Sequence, residues 1–378
     1  MFSLLHGGCM THLADASLLV QADTQLPVSW YIDPQVHYIE QQNLFNRSAN
    51  YIGHTLMVPN IGDFHVISWL DNAKTLIHTQ DGIGLLSNIC RHRQAIMLNG
   101  RGNSQNIVCP LHRWTYNLEG ELLGAPHFPQ NPCLKLDSTP LTDWNGMLFT
   151  GSRDVIADLA NVSVMKDLDF SGYIFDRYET TDYPFNWKTF IEVYLEDYHV
   201  VPFHPGLGRF VDCKSLRWEF GKWYSVQTVG IHEALSQPGS PTYQKWQDQV
   251  ITYNNGKMPA YGAIWMLYYP NIMIEWYPNV LVISTILPTG PQSCRNIVEF
   301  YYPEEIALFE REFVEAEQAA YRETAVEDEE ICQRMQQGRN ALYLQGKNEI
   351  GPYQSPMEDG MVHFHEFLQQ ELGNYLLP

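Results

Sequence analysis

The chain has 378 residues, 45% hydrophobic and 17% charged, a balance that suits compact folded domains and excludes a largely disordered protein. That length exceeds what one small core organises and points to two domains, or one domain with a large insertion. Acidic residues outnumber basic ones 43 to 23, for a formal charge of −20. Such a field repels phosphate backbones, which excludes nucleic acid as an expected partner, and it favours a cationic substrate or a basic redox partner.

The first twenty residues, MFSLLHGGCMTHLADASLLV, lack the basic start and continuous apolar stretch of a signal peptide, and Met10 is an alternative start to Met1. Residues 34–44 carry apolar positions at helical spacing. From residue 51 to about 151 the texture changes to short alternating runs cut by turn signals. HTLMVP, FHVISWL, KTLIHT, IGLLSNI and NIVCPL are the expected strands of a small all-β domain.

Residues 186–200 read as a helix. Five strand-like runs follow, KWYSVQTVG, GAIWMLYYP, IMIEWYP, VLVISTILP and RNIVEFYYP, most of them ended by Gly or Pro, which implies an antiparallel sheet. Residues 304–337 read as one long helix with Glu304 and Glu305 in its first turn. No run of about 18 apolar residues offers a membrane span. Seven cysteines, odd in number and scattered, fit a reducing cytoplasm better than a disulfide framework.

Two of those cysteines sit beside histidines. Cys90-Arg-His92 and Cys109-Pro-Leu-His112 are separated by sixteen residues, each pair at the tip of an expected hairpin. Two thiolates and two imidazoles make either a tetrahedral zinc site or a Rieske cluster, in which the cysteines hold one iron and the histidines the other. Further on, His199 and His204 flank Pro202. That proline interrupts a continuous helix and leaves His199 at the helix end, with His204 on the next turn. Two imidazoles on adjacent elements can supply two of the three ligands of a facial triad for Fe(II), although a His-x4-His spacing alone is a weak signal.

The residues around both pairs resemble one family. Cys90-Arg-His-Arg and Cys109-Pro-Leu-His-Arg-Trp-Thr-Tyr, with Gly120 closing a turn, are similar to the Rieske motif of the ring-hydroxylating and related oxygenases. Two positions depart from the family pattern: Gln94 and Arg113 stand where glycine is frequent. Asn186-Trp-Lys, then Glu196-Asp-Tyr-His199, then His204-Pro resembles the iron segment of the same enzymes, and Asp328 matches their late aspartate, with Glu327 as its rival. The resemblance runs from about Pro27 to Leu372.

It implies an α+β architecture, with an all-β Rieske [2Fe–2S] domain inserted before an α+β catalytic domain that has an antiparallel sheet and C-terminal helices. The expected division is an N-terminal segment (1–50) packing on the catalytic domain, a Rieske domain (51–153) and a catalytic domain (154–378). The implied cofactors are a [2Fe–2S] cluster on Cys90, His92, Cys109 and His112, covered by Trp114, and a mononuclear Fe(II) on His199, His204 and Asp328. Asn186 and Tyr198 are candidates to support the iron. Glu196, or its neighbour Asp197, is the acid that would link one subunit's cluster to the next subunit's iron, so the resemblance implies a homotrimer.

The implied partners are O2, a small organic substrate and an NAD(P)H-dependent flavin/iron–sulfur reductase, directly or through a ferredoxin. Glutamate at position 196 is shared with the branch acting on glycine betaine, carnitine and choline. N-dealkylation or C–N cleavage of a small quaternary amine is therefore the favoured chemistry, with aromatic-ring mono- or dioxygenation as the alternative and a Rieske electron carrier without oxygenase activity behind both. Trp265, Tyr268, Tyr269, Trp276 and Tyr277 are either an aromatic cage for an ammonium or packed core.

Overall fold

The computed structural model describes residues 25–232, 235 and 237–376; the readings of the first twenty residues and of the start codon lie outside them. The chain divides into two units, residues 47–176 and the residues before and after them. The second boundary falls later than residue 153 because the segment that follows is tied to the β unit. Asn145 Nδ2 donates to the Leu168 carbonyl at 2.6 Å, the Phe170 ring lies 4.4 Å from His54, and the Arg101 guanidinium stands over Phe175.

The β unit holds three antiparallel sheets of three, five and three strands. KTLIHT forms the strand Lys74–Thr79, as expected. HTLMVP does not form a strand: the strand is Asn50–His54, and the His54 side chain then accepts from Leu56 N and turns the chain into a 3-10 helix. FHVISWL likewise stops as a strand at Val66 and ends in a 3-10 turn over Ser68–Leu70. The smallest sheet, Ile107–Val108, Thr115–Tyr116 and Leu122–Gly124, carries the second Cys/His loop and is closed by Gly120, whose φ of +84° suits glycine.

The other unit is built on a seven-stranded sheet. Its strands are β1 (Tyr173–Tyr183), β2 (Val211–Phe220), β3 (Tyr224–Ile231), β4 (Ala263–Tyr268), β5 (Ile272–Tyr277), β6 (Val280–Gly290) and β7 (Ser293–Pro303). They lie in the order β1-β7-β6-β5-β4-β3-β2, so six consecutive strands form an antiparallel meander. Sequence reasoning found β3 to β7, whose buried apolar runs are conspicuous, and missed β1 and β2. Those two are the sheet's edges, and edge strands carry exposed polar and charged residues in place of an apolar run.

Helix α1 (Pro34–Asn43), capped by Asp33, packs with α2 (Trp187–Tyr194) and α5 (Asp359–Leu376). The contact centres on a buried pair: Glu40 Oε1 accepts from Lys188 Nζ at 2.5 Å and Glu40 Oε2 from Trp187 Nε1 at 3.0 Å. Helix α3 (Pro241–Tyr253) was missed, although Ser240 and Pro241 are a standard helix start and the Ser240 hydroxyl accepts from Tyr243 N.

The expected 304–337 helix is broken at Glu310 and continues as α4 (Arg311–Leu344). Trp246 and Val250 of α3, with Phe313, Val314 and Ala320 of α4, bury the sheet face that presents Ala263, Trp265, Val282 and Phe300. No described helix is long and apolar enough to cross a membrane.

Candidate metal centres and active-site cavity

In the β unit the two Cys/His loops are built alike. Gln94 N donates to the Cys90 carbonyl and Arg113 N to the Cys109 carbonyl, so each loop closes four residues after its cysteine. The closing residues have φ of +54° (Gln94) and +61° (Arg113), a left-handed conformation that explains why glycine is frequent at both positions. Cys90 and Cys109 are buried, His92 is half-buried and His112 exposed. Trp114, 2% exposed, stacks on the His92 ring at 4.9 Å, and the Phe128 ring closes edge-on against both. The Tyr116 hydroxyl lies 3.7 Å from Cys90 Sγ and accepts from Arg91 N.

Among the described residues, no three of these four donors lie within 4.8 Å of one another. The donors of one tetrahedral zinc ion sit roughly 4 Å apart. The pairs are therefore too spread for a single ion and suit two irons, one on the thiolates and one on the imidazoles. His92 Nδ1 is buried without a hydrogen-bond partner, as a metal-facing nitrogen should be.

The other unit brings His199, His204 and Asp328 together, the one such group among the described residues. The expected helix 186–200 ends at Tyr194. A turn over residues 195–198 follows, and His199 and His204 flank the short helix Val200–Phe203, whose first turn tolerates Pro202. The rings are 4.9 Å apart, and Asp328, on α4, places Oδ1 3.0 Å from His204 Nε2 and 3.4 Å from His199 Nε2. That buried oxygen has no hydrogen-bond partner, and the three donor atoms lie within 4.8 Å of one another, a set able to share one ion.

Each imidazole is backed by a second carboxylate. Glu196 Oε1 is 2.6 Å from His199 Nδ1, and Glu327 Oε2 is 2.7 Å from His204 Nδ1. Burial lowers the His199 imidazole, but Asp328 and Glu196 outweigh it and push it up to about 10. Burial raises the Asp328 carboxyl, and the two histidines outweigh that and hold it below its usual value. Three carboxylates around two imidazoles make a site that attracts positive charge, which fits a divalent metal.

The rivals separate clearly. Glu327 stands behind His204, with its carboxylate on Nδ1 and not on the Nε2 side where Asp328 lies. Asp197 is 1% exposed, accepts from Gln227 Nε2, and is pushed up to about 7 by burial and then by Glu196; Glu196 is the acid that touches His199. Two supporting candidates fall elsewhere. Asn186 caps α2, accepting from Lys188 N and donating to the Pro291 carbonyl, and does not line the cavity at the triad. Tyr198 is 59% exposed, because the turn after α2 directs it outward.

The triad lies on the wall of a cavity of about 300 Å³ between the sheet and helices α3 and α4. Of the five proposed cage aromatics, Trp265 and Tyr277 line it; Tyr268 and Tyr269 are core, and Trp276 packs against Tyr261. Strand alternation explains the split, since Trp265 on β4 pairs with Glu275 on β5 and both face the cavity. Glu275 escaped the sequence reading; its one signal was a carboxylate inside the otherwise uncharged run IMIEWYP.

A family model described as Rieske [2Fe-2S] domain matches residues 48–140, and one described as ring hydroxylating alpha subunit (catalytic domain) matches residues 170–374. The putrescine 2-hydroxylase of Ralstonia nicotianae is 63% identical over 361 residues, spanning 96% of this chain and 99% of that protein. The putrescine 2-hydroxylase of Bordetella bronchiseptica is 53% identical over 381 residues, spanning 97% and 89%. Among solved structures, the quaternary ammonium Rieske monooxygenase CntA with a bound inhibitor superposes with a TM-score of 0.71 at 20% identity, covering 91% of this chain and 94% of that one, a likeness of fold.

Proposed function

The chain belongs to the Rieske-type ring-hydroxylating oxygenase α subunits, and from that premise we propose that it hydroxylates a C–H bond of a small aliphatic diamine of the putrescine kind. It carries a Rieske [2Fe–2S] cluster and a mononuclear iron; when bound, the cluster supplies electrons one at a time and the iron activates O2. In this reading Cys90, Cys109, His92 and His112 hold the cluster, and His199, His204 and Asp328 hold the iron.

The observation that carries the proposal is the position of the triad on the wall of a small cavity rich in carboxylates. Glu327 hydrogen-bonds Nδ1 of His204 and Glu196 stands at ion-pair distance from Nδ1 of His199, which leaves each Nε2 to bind metal. Trp265 and Tyr277 give the cavity an apolar wall that positions a short carbon chain, and the buried acids favour ammonium groups over neutral or anionic ones. A primary ammonium has N–H donors that these carboxylates satisfy, whereas a quaternary one relies on ring faces alone. Together with the two putrescine 2-hydroxylases among its relatives, this favours C–H hydroxylation of a primary amine over N-dealkylation. An aromatic acid would set its own carboxylate against the same wall. A bare electron carrier has no use for the triad.

His112 is the exposed imidazole of the cluster loops, and Glu196 is 14% exposed against His199. We read these as the two ends of a contact between neighbouring chains in a homotrimer, fed by an NAD(P)H-dependent flavin/iron–sulfur reductase, directly or through a ferredoxin. Metal and sulfide analysis with putrescine turnover tests the reading. About three irons and two sulfides per chain are expected for wild type with one Rieske cluster and one mononuclear iron. His199→Ala should lose the mononuclear iron, keep the cluster and form no product. Wild type that holds only the cluster iron would reject the proposal.

A further inference from the structure

Glu275 is a carboxylate in the middle of a sheet, 3% exposed, on the wall of the same cavity as the triad. Its hydrogen bonds come from two phenols: Tyr277 Oη donates to Oε2 at 2.7 Å and Tyr321 Oη, from α4, donates to Oε1 at 3.2 Å. The other neighbour of Tyr277 is consistent with that direction. Trp265 Nε1 can only donate, and it donates to Tyr277 Oη at 2.9 Å, which leaves the phenol's own proton free for Glu275. With both phenols donating, each carboxylate oxygen has an acceptor role, an arrangement that suits the ionised form.

Among the described residues no Lys, Arg or His makes an ion pair with Glu275, whereas Glu179, on the same cavity wall, is paired with Arg177 and Arg322. A buried carboxylate without a cation is costly, and burial accordingly pushes the Glu275 carboxyl up to about 7. Its surroundings supply directed hydrogen bonds and an apolar wall but no counter-charge. The position is built to receive one from the cavity.

Resting on the functional reading above, we infer that Glu275 is the residue that binds an ammonium group of the substrate, with Tyr277 and Tyr321 holding its carboxylate in place, so that the Glu275-to-triad span selects amine substrates by chain length. The groups play different parts. His199, His204 and Asp328 belong to the reacting end, and Glu275 fixes which carbon lies there.

The experiment measures binding and turnover of 1,3-diaminopropane, 1,4-diaminobutane and 1,5-diaminopentane by the iron- and cluster-loaded protein, with both metal centres checked by EPR. Glu275→Gln keeps shape and volume but removes the charge. It should weaken 1,4-diaminobutane binding by about 100-fold or more, the order expected when one partner of a buried charge pair is lost, without altering the iron or cluster signals. Glu275→Asp keeps the charge one methylene further back and should shift preference toward 1,5-diaminopentane. A merely structural role would not produce that shift, and this variant also serves if Glu275→Gln fails to fold. Affinity within threefold of wild type in Glu275→Gln, or an unchanged length preference in Glu275→Asp, overturns the inference while leaving the functional reading intact. Wild type that binds none of the diamines overturns the functional reading itself.

Discussion

Glu327 Oε2 stands 2.7 Å from Nδ1 of His204, on the opposite edge of the ring from the Asp328 carboxylate. A carboxylate in that position fixes the ring's tautomer and raises the basicity of the nitrogen that faces the metal. Glu327→Gln should therefore weaken mononuclear iron binding by about 10- to 100-fold and leave the cluster in place. Iron-to-sulfide ratios after dialysis against a mild chelator would check it, and unchanged retention of the mononuclear iron would show that Glu327 is only a surface acid.

Glu196 occupies the equivalent place behind His199, with Oε1 2.6 Å from Nδ1 and Oε2 accepting from His199 N at 2.9 Å. Its partial exposure is what the proposed contact with a neighbouring chain requires. Glu196→Gln should weaken mononuclear iron binding as Glu327→Gln does, and in iron-saturated protein it should also slow oxidation of the reduced cluster in a single turnover by at least about tenfold, the loss expected at the low end for an outer-shell partner of a metal-bound histidine. Stopped-flow absorbance of the cluster reads this directly. Equal rates in wild type and variant would remove Glu196 from the electron route.

Gln94 and Arg113 adopt φ of +54° and +61° with exposed side chains. The left-handed conformation costs a non-glycine residue roughly 1–2 kcal/mol, and glycine gives back roughly 0.5–1 kcal/mol in unfolded-state entropy. Glycine at either site should thus stabilise the β unit by about 0.5–1 kcal/mol, read as a rise of a few degrees in its melting temperature. A fall would mean that these side chains hold the loops in a way their exposure does not reveal.

Burial, aided by the charge of Asp328 and opposed by the Tyr277 and Tyr321 hydrogen bonds, pushes the Glu275 carboxyl up to about 7 from the 4.5 of an ordinary glutamate. Folding therefore binds a proton between those two pH values. The penalty is absent below pH 4.5, grows as pH rises and is fully present above pH 7, reaching roughly 3 kcal/mol at most. Without substrate, Glu275→Gln should melt higher than wild type at pH 8 and equally at pH 4. Diamine should stabilise wild type more than the variant. A variant that melts lower at both pH values would make Glu275 a structural residue.

How much of this was visible in the sequence depended on whether the signal was contiguous. Cys90-x-His92, Cys109-x-x-His112 and the His199/His204 segment are short local motifs, and the fold places each as a unit. Asp328 could be found only through resemblance, because 123 residues separate it from the His204 that its neighbour Glu327 supports. Glu275 lay hidden for a related reason: its partners Tyr277, Tyr321 and Trp265 come from β5, α4 and β4, and only the sheet register brings them together. Asn186 and Tyr198 show the converse. Both sit inside the motif that carries the iron ligands, but one is spent capping a helix and the other points outward. Proximity along the chain does not bring either side chain to the triad.

The most direct test of the account is a single turnover of chemically reduced protein with 1,4-diaminobutane under 18O2, with products resolved by mass spectrometry. The account predicts one labelled oxygen on a carbon of an intact diamine, and no such product from protein stripped of mononuclear iron. A dealkylated amine with aldehyde from a quaternary substrate, or a labelled ring from an aromatic acid, with the diamine untouched by fully iron-loaded protein, would contradict it.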